Sequence, residues 1–184
     1  MKTKRQATAA MAVLREFISN SQMQCIADAC RGEEKQFFFD KLCELADIVN
    51  AMPKTYETDS HGDSAIIHLH YFTSGCDWWI REKDKGVPGD ASQHQAFGWV
   101  SLNGDEPELG YISIVEIRRA GGELDLYWKP KSWSELRNKP TRDTYTGPEV
   151  VYIDAANVFD AVPVKKTIPV TFAVLPPWRR ALNL

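Results

Sequence analysis

The stretch 66-IIHLHYFTSGCDWWIRE-82 decides how this chain folds. Residues 66–72 are crowded with β-branched and aromatic side chains, which suit the pleated, half-buried surface of a strand. Ser74-Gly75 supplies a short turn, and residues 76–82 continue as a second strand, so the pair reads as a hairpin. Alternation along a strand sends Trp78 and Trp79 to opposite faces, one into a core and the other outward. The same alternation puts His68 and His70 on one face.

Downstream of the hairpin the strand pattern continues. Residues 83–94 (KDKGVPGDASQH) are too long for a tight turn and form an excursion. Residues 95–102 make a third strand, Asn103-Gly104-Asp105 a turn, and residues 108–112 a fourth strand. Ser113 and Glu116 have capping-box spacing, and Gly121-Gly122 closes the short helix they open. Residues 124–128 give a fifth strand, and Ser132 with Glu135 opens another short helix.

Upstream the period changes from two to helical. Residues 54–64 are polar and read as a loop. Before them, residues 33–52 carry an apolar stripe of Phe37, Phe38, Leu42, Leu45, Ala46, Val49 and Met52, with Pro53 as the stop. Ser21 and Gln24 have capping-box spacing for a second helix that ends at Gly32, and residues 7–19 place Ala10, Val13, Leu14, Phe17 and Ile18 on one helical face. Helices followed by a meander predict an α+β fold: N-terminal helices packed on an antiparallel β-meander sheet. The expected organisation is a helical segment over 1–53, a sheet core over 54–136, a proline-containing linker over 137–148, and a C-terminal β appendage over 149–184 with strands at 150–153 and 167–175.

Composition narrows the function classes. Hydrophobic residues at 43% and charged residues at 26% describe a globular chain. The net charge of −3 gives no global field favouring nucleic acid; the basic residues Lys2, Lys4, Arg5, Lys165, Lys166, Arg179 and Arg180 read as solvated termini. Cys25, Cys30, Cys43 and Cys76 form neither a CxxC pair nor a zinc pattern and read as reduced thiols in a cytoplasm. Arg15 and Glu16 interrupt the first apolar positions, so no secretory signal is expected, and no apolar run reaches the roughly 20 residues that span a bilayer.

Chemistry-bearing patterns are sparse. His68 and His70 could ligate a metal with Glu82, Glu108 or Asp125 as the carboxylate and His61 or His94 as a further imidazole, which would suit a small metal-dependent hydrolase. The bland reading is a neutral, hydrogen-bonded pair on a sheet face. Cys76 beside these histidines could form a Cys–His pair. There is no GxxxxGK[ST] and no GxGxxG, so no cofactor is expected. The aromatic residues Trp78, Trp79, Trp99, Tyr111 and Trp128, with Asp77, Glu82 and Glu108, are the candidate binding set. An exposed group of such rings could stack single-stranded bases or grip a protein, or the third helix could cover them, the commoner outcome because a sheet needs a partner layer.

Three blocks occur in order: YFTSGCDWWIREKD at 71–84, AFGWVSLNGDEPELGYISIVEI at 96–117 and GELDLYWKPKSW at 122–133. This cadence resembles the phage- and plasmid-borne proteins grouped as domain of unknown function 2958. The resembling pieces are Trp78, Trp79 and Glu82; Phe97 and Gly98; Glu108 to Ser113 with Glu116; and Asp125 to Trp128, with Ile117 where the family often has Leu. The resemblance implies a mobile-element accessory protein and carries no activity with it. Joined to the acidic balance and the aromatic excess, it points to binding of a host protein or nucleoprotein complex, in the concrete case an inhibitor of a CRISPR- or restriction-type defence. A nucleic-acid-binding module and a homodimer are the further expectations.

Overall fold

Three helices open the chain: α1 (Lys4–Leu14), α2 (Asn20–Ala29) and α3 (Lys35–Ala51). The computed structural model describes residues 1–87 and 92–138. α1 starts earlier than its apolar periodicity indicates because Thr3 and Gln6 close a capping box, and it stops at Leu14. Phe17 and Ile18, expected on the helix, reach the core from the link that follows. α2 is capped by Ser19, whose Oγ accepts from Gln22 N at 3.2 Å, so the expected box at Ser21 and Gln24 does not form. α3 ends where Met52 turns extended ahead of Pro53. Lys83 Nζ then donates to the carbonyls of Val49 and Asn50, which satisfies the negative end of α3 and fastens it to the sheet.

Within the expected loop, Asp59–Ser64 forms a 3-10 segment. The strands follow as β1 (Ile66–Ile67), β2 (Leu69–Thr73), β3 (Cys76–Glu82), β4 (Ala96–Ser101) and β5 (Glu108–Ile112). After α4 (Ile114–Arg119) come β6 (Glu123–Leu124), β7 (Lys131–Ser132) and α5 (Trp133–Arg137). The main sheet runs β5-β4-β3-β2-β6 and is antiparallel throughout, while β1 pairs with β7. The fold is therefore α+β with a meander sheet.

Two strand expectations change. Residues 66–72 are not one strand: the chain switches partners at His68, from β7 to the main sheet. Residues 124–128 are not a strand beyond Leu124, because Asp125 Oδ1 accepts from Tyr127 N at 2.9 Å and turns the backbone out of the sheet. The strands expected at 150–153 and 167–175, and the linker beyond Asn138, lie outside the described residues.

Both faces of the sheet are packed. On one, Leu69, Tyr71, Ile80, Ala96, Ile112 and Leu124 join Leu14, Ile18, Leu42, Leu45 and Val49 of the helical layer in the main core. Tyr71 is fully buried there and donates its hydroxyl to Phe17 O at 2.7 Å, so its polar end is satisfied. On the other face Trp99 and Trp133 bury with Ala65 and Ile67, flanked by Trp79 and Trp128. A bulge between Ile80 and Glu82 draws β3 against β4. At Gly98 a Cβ would lie 2.0 Å from Trp79 O, so the strand pair closes only around glycine.

Candidate binding site

The strand register lays the aromatic residues out in rows. His70 stands beside Trp79, Trp79 beside Trp99, and Trp99 beside Leu109. The neighbouring row is Glu82, Phe97 and Tyr111. Both rows run from the inside of the sheet to β5, its terminal strand.

The inner members are covered. Trp99 is 7% exposed and stacks on Trp133 with centroids 4.3 Å apart. Trp79 packs on Trp133 at 5.5 Å and is half-buried, while Trp78 packs against the main core from the opposite face. Neither tryptophan of the pair is the outward ring that alternation predicts, because α5 and the 125–131 turn lie over the second face. Trp128 donates Nε1 to Ile67 O at 3.1 Å and carries Lys131 Nζ over its ring at 4.2 Å. Trp99 is therefore a packing residue, covered by α5 and not by the third helix.

Glu82 moves furthest from its expected role. It has no exposed surface. Its carboxylate accepts from Tyr56 N at 3.0 Å, from Thr58 N at 2.7 Å and from the Thr58 hydroxyl, with Arg81 Nη2 at 3.5 Å. Burial pushes its pKa upward, and the donated hydrogen bonds outweigh burial, so Glu82 is held below the usual glutamate range. The carboxylate pins Tyr56, whose φ of +81° is rare for a bulky residue. Beside it Arg81, also buried, lies over Phe97 at 5.1 Å.

His68 and His70 do not share a site. Burial lowers the pKa of His68, and Lys83 adds to the effect. His70 sits between two carboxylates: Nε2 lies 2.9 Å from Asp77 Oδ1 and Nδ1 3.4 Å from Asp125 Oδ2. Trp79 stacks on the imidazole at 5.6 Å. Burial pulls the His70 pKa down, but the two aspartates outweigh it and raise it above the ordinary histidine value. Both ring nitrogens are thus occupied by carboxylate partners, and His70 ties β2, β3 and the 125–128 turn together. Among the described residues no group of three or more His, Cys, Asp or Glu side chains is placed to hold a metal ion. Cys76 lies on the opposite face of β3 from His70, so the expected Cys–His pair is not formed.

The exposed part of the predicted set is at the sheet edge. Glu108 and Tyr111 stand on β5 in the open, with Leu109 between them, 50% exposed. Tyr111 packs edge-on against Phe97 and donates its hydroxyl to the Tyr56 hydroxyl at 3.1 Å. Leu109 and Tyr56 were not legible as site residues. Leu109 lies in plain alternation with Tyr111, and the Tyr56 signal is a backbone conformation that sequence does not display.

The two edges of the sheet differ. At β6 the Gln22 side chain donates Nε2 to Leu124 O at 2.7 Å and accepts Leu124 N on Oε1 at 3.0 Å, imitating the amide of a neighbouring strand. At β5 no strand among the described residues pairs with the outer side. A Cβ added at Gly110 would meet nothing within 4 Å. No protein-family model, curated protein or solved structure matches this chain. Among the described residues, no helix is long and apolar enough to cross a membrane.

Proposed function

We propose that this chain is an accessory protein of a phage or mobile element that acts in the bacterial host cytoplasm by binding a host macromolecule. Its concrete form is an inhibitor of a nucleic-acid-directed defence complex of the CRISPR or restriction type. One observation carries the binding reading: the β5 edge, which no strand among the described residues pairs, where Leu109 and Tyr111 stand exposed beside Glu108 while the inner aromatic residues are covered. An unpaired strand bearing apolar side chains is a template for association, and proteins that do not use such an edge normally protect it. The cadence resembling phage- and plasmid-borne proteins supplies the mobile-element part of the reading.

The test is a plasmid-interference assay in bacteria with an active CRISPR or restriction system, paired with affinity purification of the tagged protein. Relief of interference and a stoichiometric host partner are expected, and both are lost in the Leu109→Lys, Tyr111→Ala double variant. If interference is unaffected and repeated purifications recover no stoichiometric partner, the reading is wrong.

A further inference from the structure

The exposed edge has a definite chemistry. Among the described residues β5 ends the sheet, and its exposed side chains Leu109 and Tyr111 alternate on one face, next to the exposed ring of Tyr56. Tyr56 is held there by the buried Glu82 against an unfavourable φ, and its hydroxyl receives that of Tyr111. The edge thus has a fixed aromatic wall on one side. Glycine at 110 leaves open space on the other.

The end of the edge where the chain enters β5 is acidic. The turn that leads into β5 contributes Asp105 and Glu106, β5 itself contributes Glu108, and Asp59 lies near enough to Tyr111 to raise its pKa after the Tyr56 hydrogen bond has done so. Arg81 is buried beneath Phe97 and faces Glu82 and Asp59, while the exposed Lys54 and Lys85 line a cleft beside Tyr56. An acidic rim around an apolar strand edge selects a partner that is extended, apolar on alternate residues and basic between them.

We propose that β5 binds such a segment by strand addition: a basic, alternating peptide from a partner protein extends the sheet, its apolar residues lying on Leu109 and Tyr111 and its lysines or arginines meeting Asp105, Glu106 and Glu108. This rests on the binding reading above and names the partner's chemistry. A second copy of this chain would bring a second acidic rim to the first and is the disfavoured occupant.

The probe is a short peptide alternating lysine with valine, fluorescently labelled, with two derivatives N-methylated on one or the other alternate set of backbone nitrogens. An added strand uses only alternate N–H groups toward its neighbour. The parent peptide should therefore bind saturably, one methylated derivative should weaken by at least about tenfold and the other should bind nearly as well. Leu109→Lys and Glu108→Lys should each weaken the parent peptide by a similar factor, and a peptide alternating glutamate with valine should not bind. Hydrogen exchange should slow at residues 108–112 on binding. Equal binding of both methylated peptides overturns strand addition, as does no binding of the parent. Self-association of the full chain that is abolished by Leu109→Lys would overturn it in favour of a second copy. If peptide binding fails while the double edge variant still loses its host partner, strand addition alone is wrong. If the double variant keeps both partner and interference relief, the site itself is misplaced.

Discussion

Replacing Glu82 by glutamine keeps the shape of a fully buried side chain and removes its charge. Glutamine retains one oxygen, which can still serve Thr58, but turns an NH2 group toward the N–H of Tyr56. One charge-assisted hydrogen bond, about 1.5–3 kcal/mol, is lost outright, and the two to Thr58 fall to neutral strength at about 1 kcal/mol each. Arg81 also loses the charge nearest its guanidinium. The sum is about 2.5–7 kcal/mol, which brackets the roughly 3–5 kcal/mol seen when one member of a buried pair is removed. In urea unfolding this moves the midpoint down by about 2 M at an ordinary slope. The loss depends on pH. A carboxyl whose folded pKa is depressed contributes stability above its unfolded value and loses it as pH falls through the folded one. Wild type and variant should therefore differ fully near neutrality and converge in acid, below the ordinary glutamate range. A difference under about 0.5 kcal/mol at neutral pH, the size typical of a surface substitution, would refute the account of Glu82 as a buried anchor.

The sign reverses at His70. Its raised pKa means that its contribution is complete below the ordinary histidine value and is lost as pH rises through the folded one, so His70→Gln should cost about 2–3 kcal/mol in mild acid and less in alkali, with the imidazole titrating high by NMR. Gly98→Ala forces a methyl onto Trp79 O and should cost about 3 kcal/mol or more in chemical denaturation. Trp133→Ala opens the stack on Trp99 and should cost about 3–5 kcal/mol, whereas Tyr111→Ala, at the open edge, should change stability by less than about 0.5 kcal/mol.

The meander was legible because each strand of the hairpin carries its own alternation and the turns are marked by Ser74-Gly75 and Asn103-Gly104, where Asn103, Gly75 and Gly104 take positive φ. The caps at Ser113 and Ser132 were legible for the same local reason; Glu135 closes a full box at Ser132, whereas at Ser113 only the serine half forms, accepting from Glu116 N. What was not legible depends on distant partners. Trp99 reads as one of a set of sheet rings, open or covered, until Trp133, from a short helix beyond the meander, lies over it. Glu82 reads as a surface acid until the 55–58 backbone brings its N–H groups to it. His70 reads as half of a His-x-His pair until Asp125 turns the chain and supplies a second carboxylate. Of the candidate site, the alternation gave Glu108 and Tyr111, but not which of the aromatic residues another layer would cover.

The glutamine that imitates a strand has a consequence for synthesis. Gln22 and the main-chain group it satisfies are 102 residues apart in sequence, and Arg118 reaches back over a similar span to the carbonyl of Ile18. At ordinary elongation rates the ribosome needs roughly 5–20 seconds to cover that separation. Throughout it, the leading helices stand outside the tunnel with Leu14, Ile18 and Ile26 uncovered on one side. The N-terminal part of the nascent chain thus keeps that apolar side open until residue 124 has emerged, and a chain released before that point has no sheet to close over it.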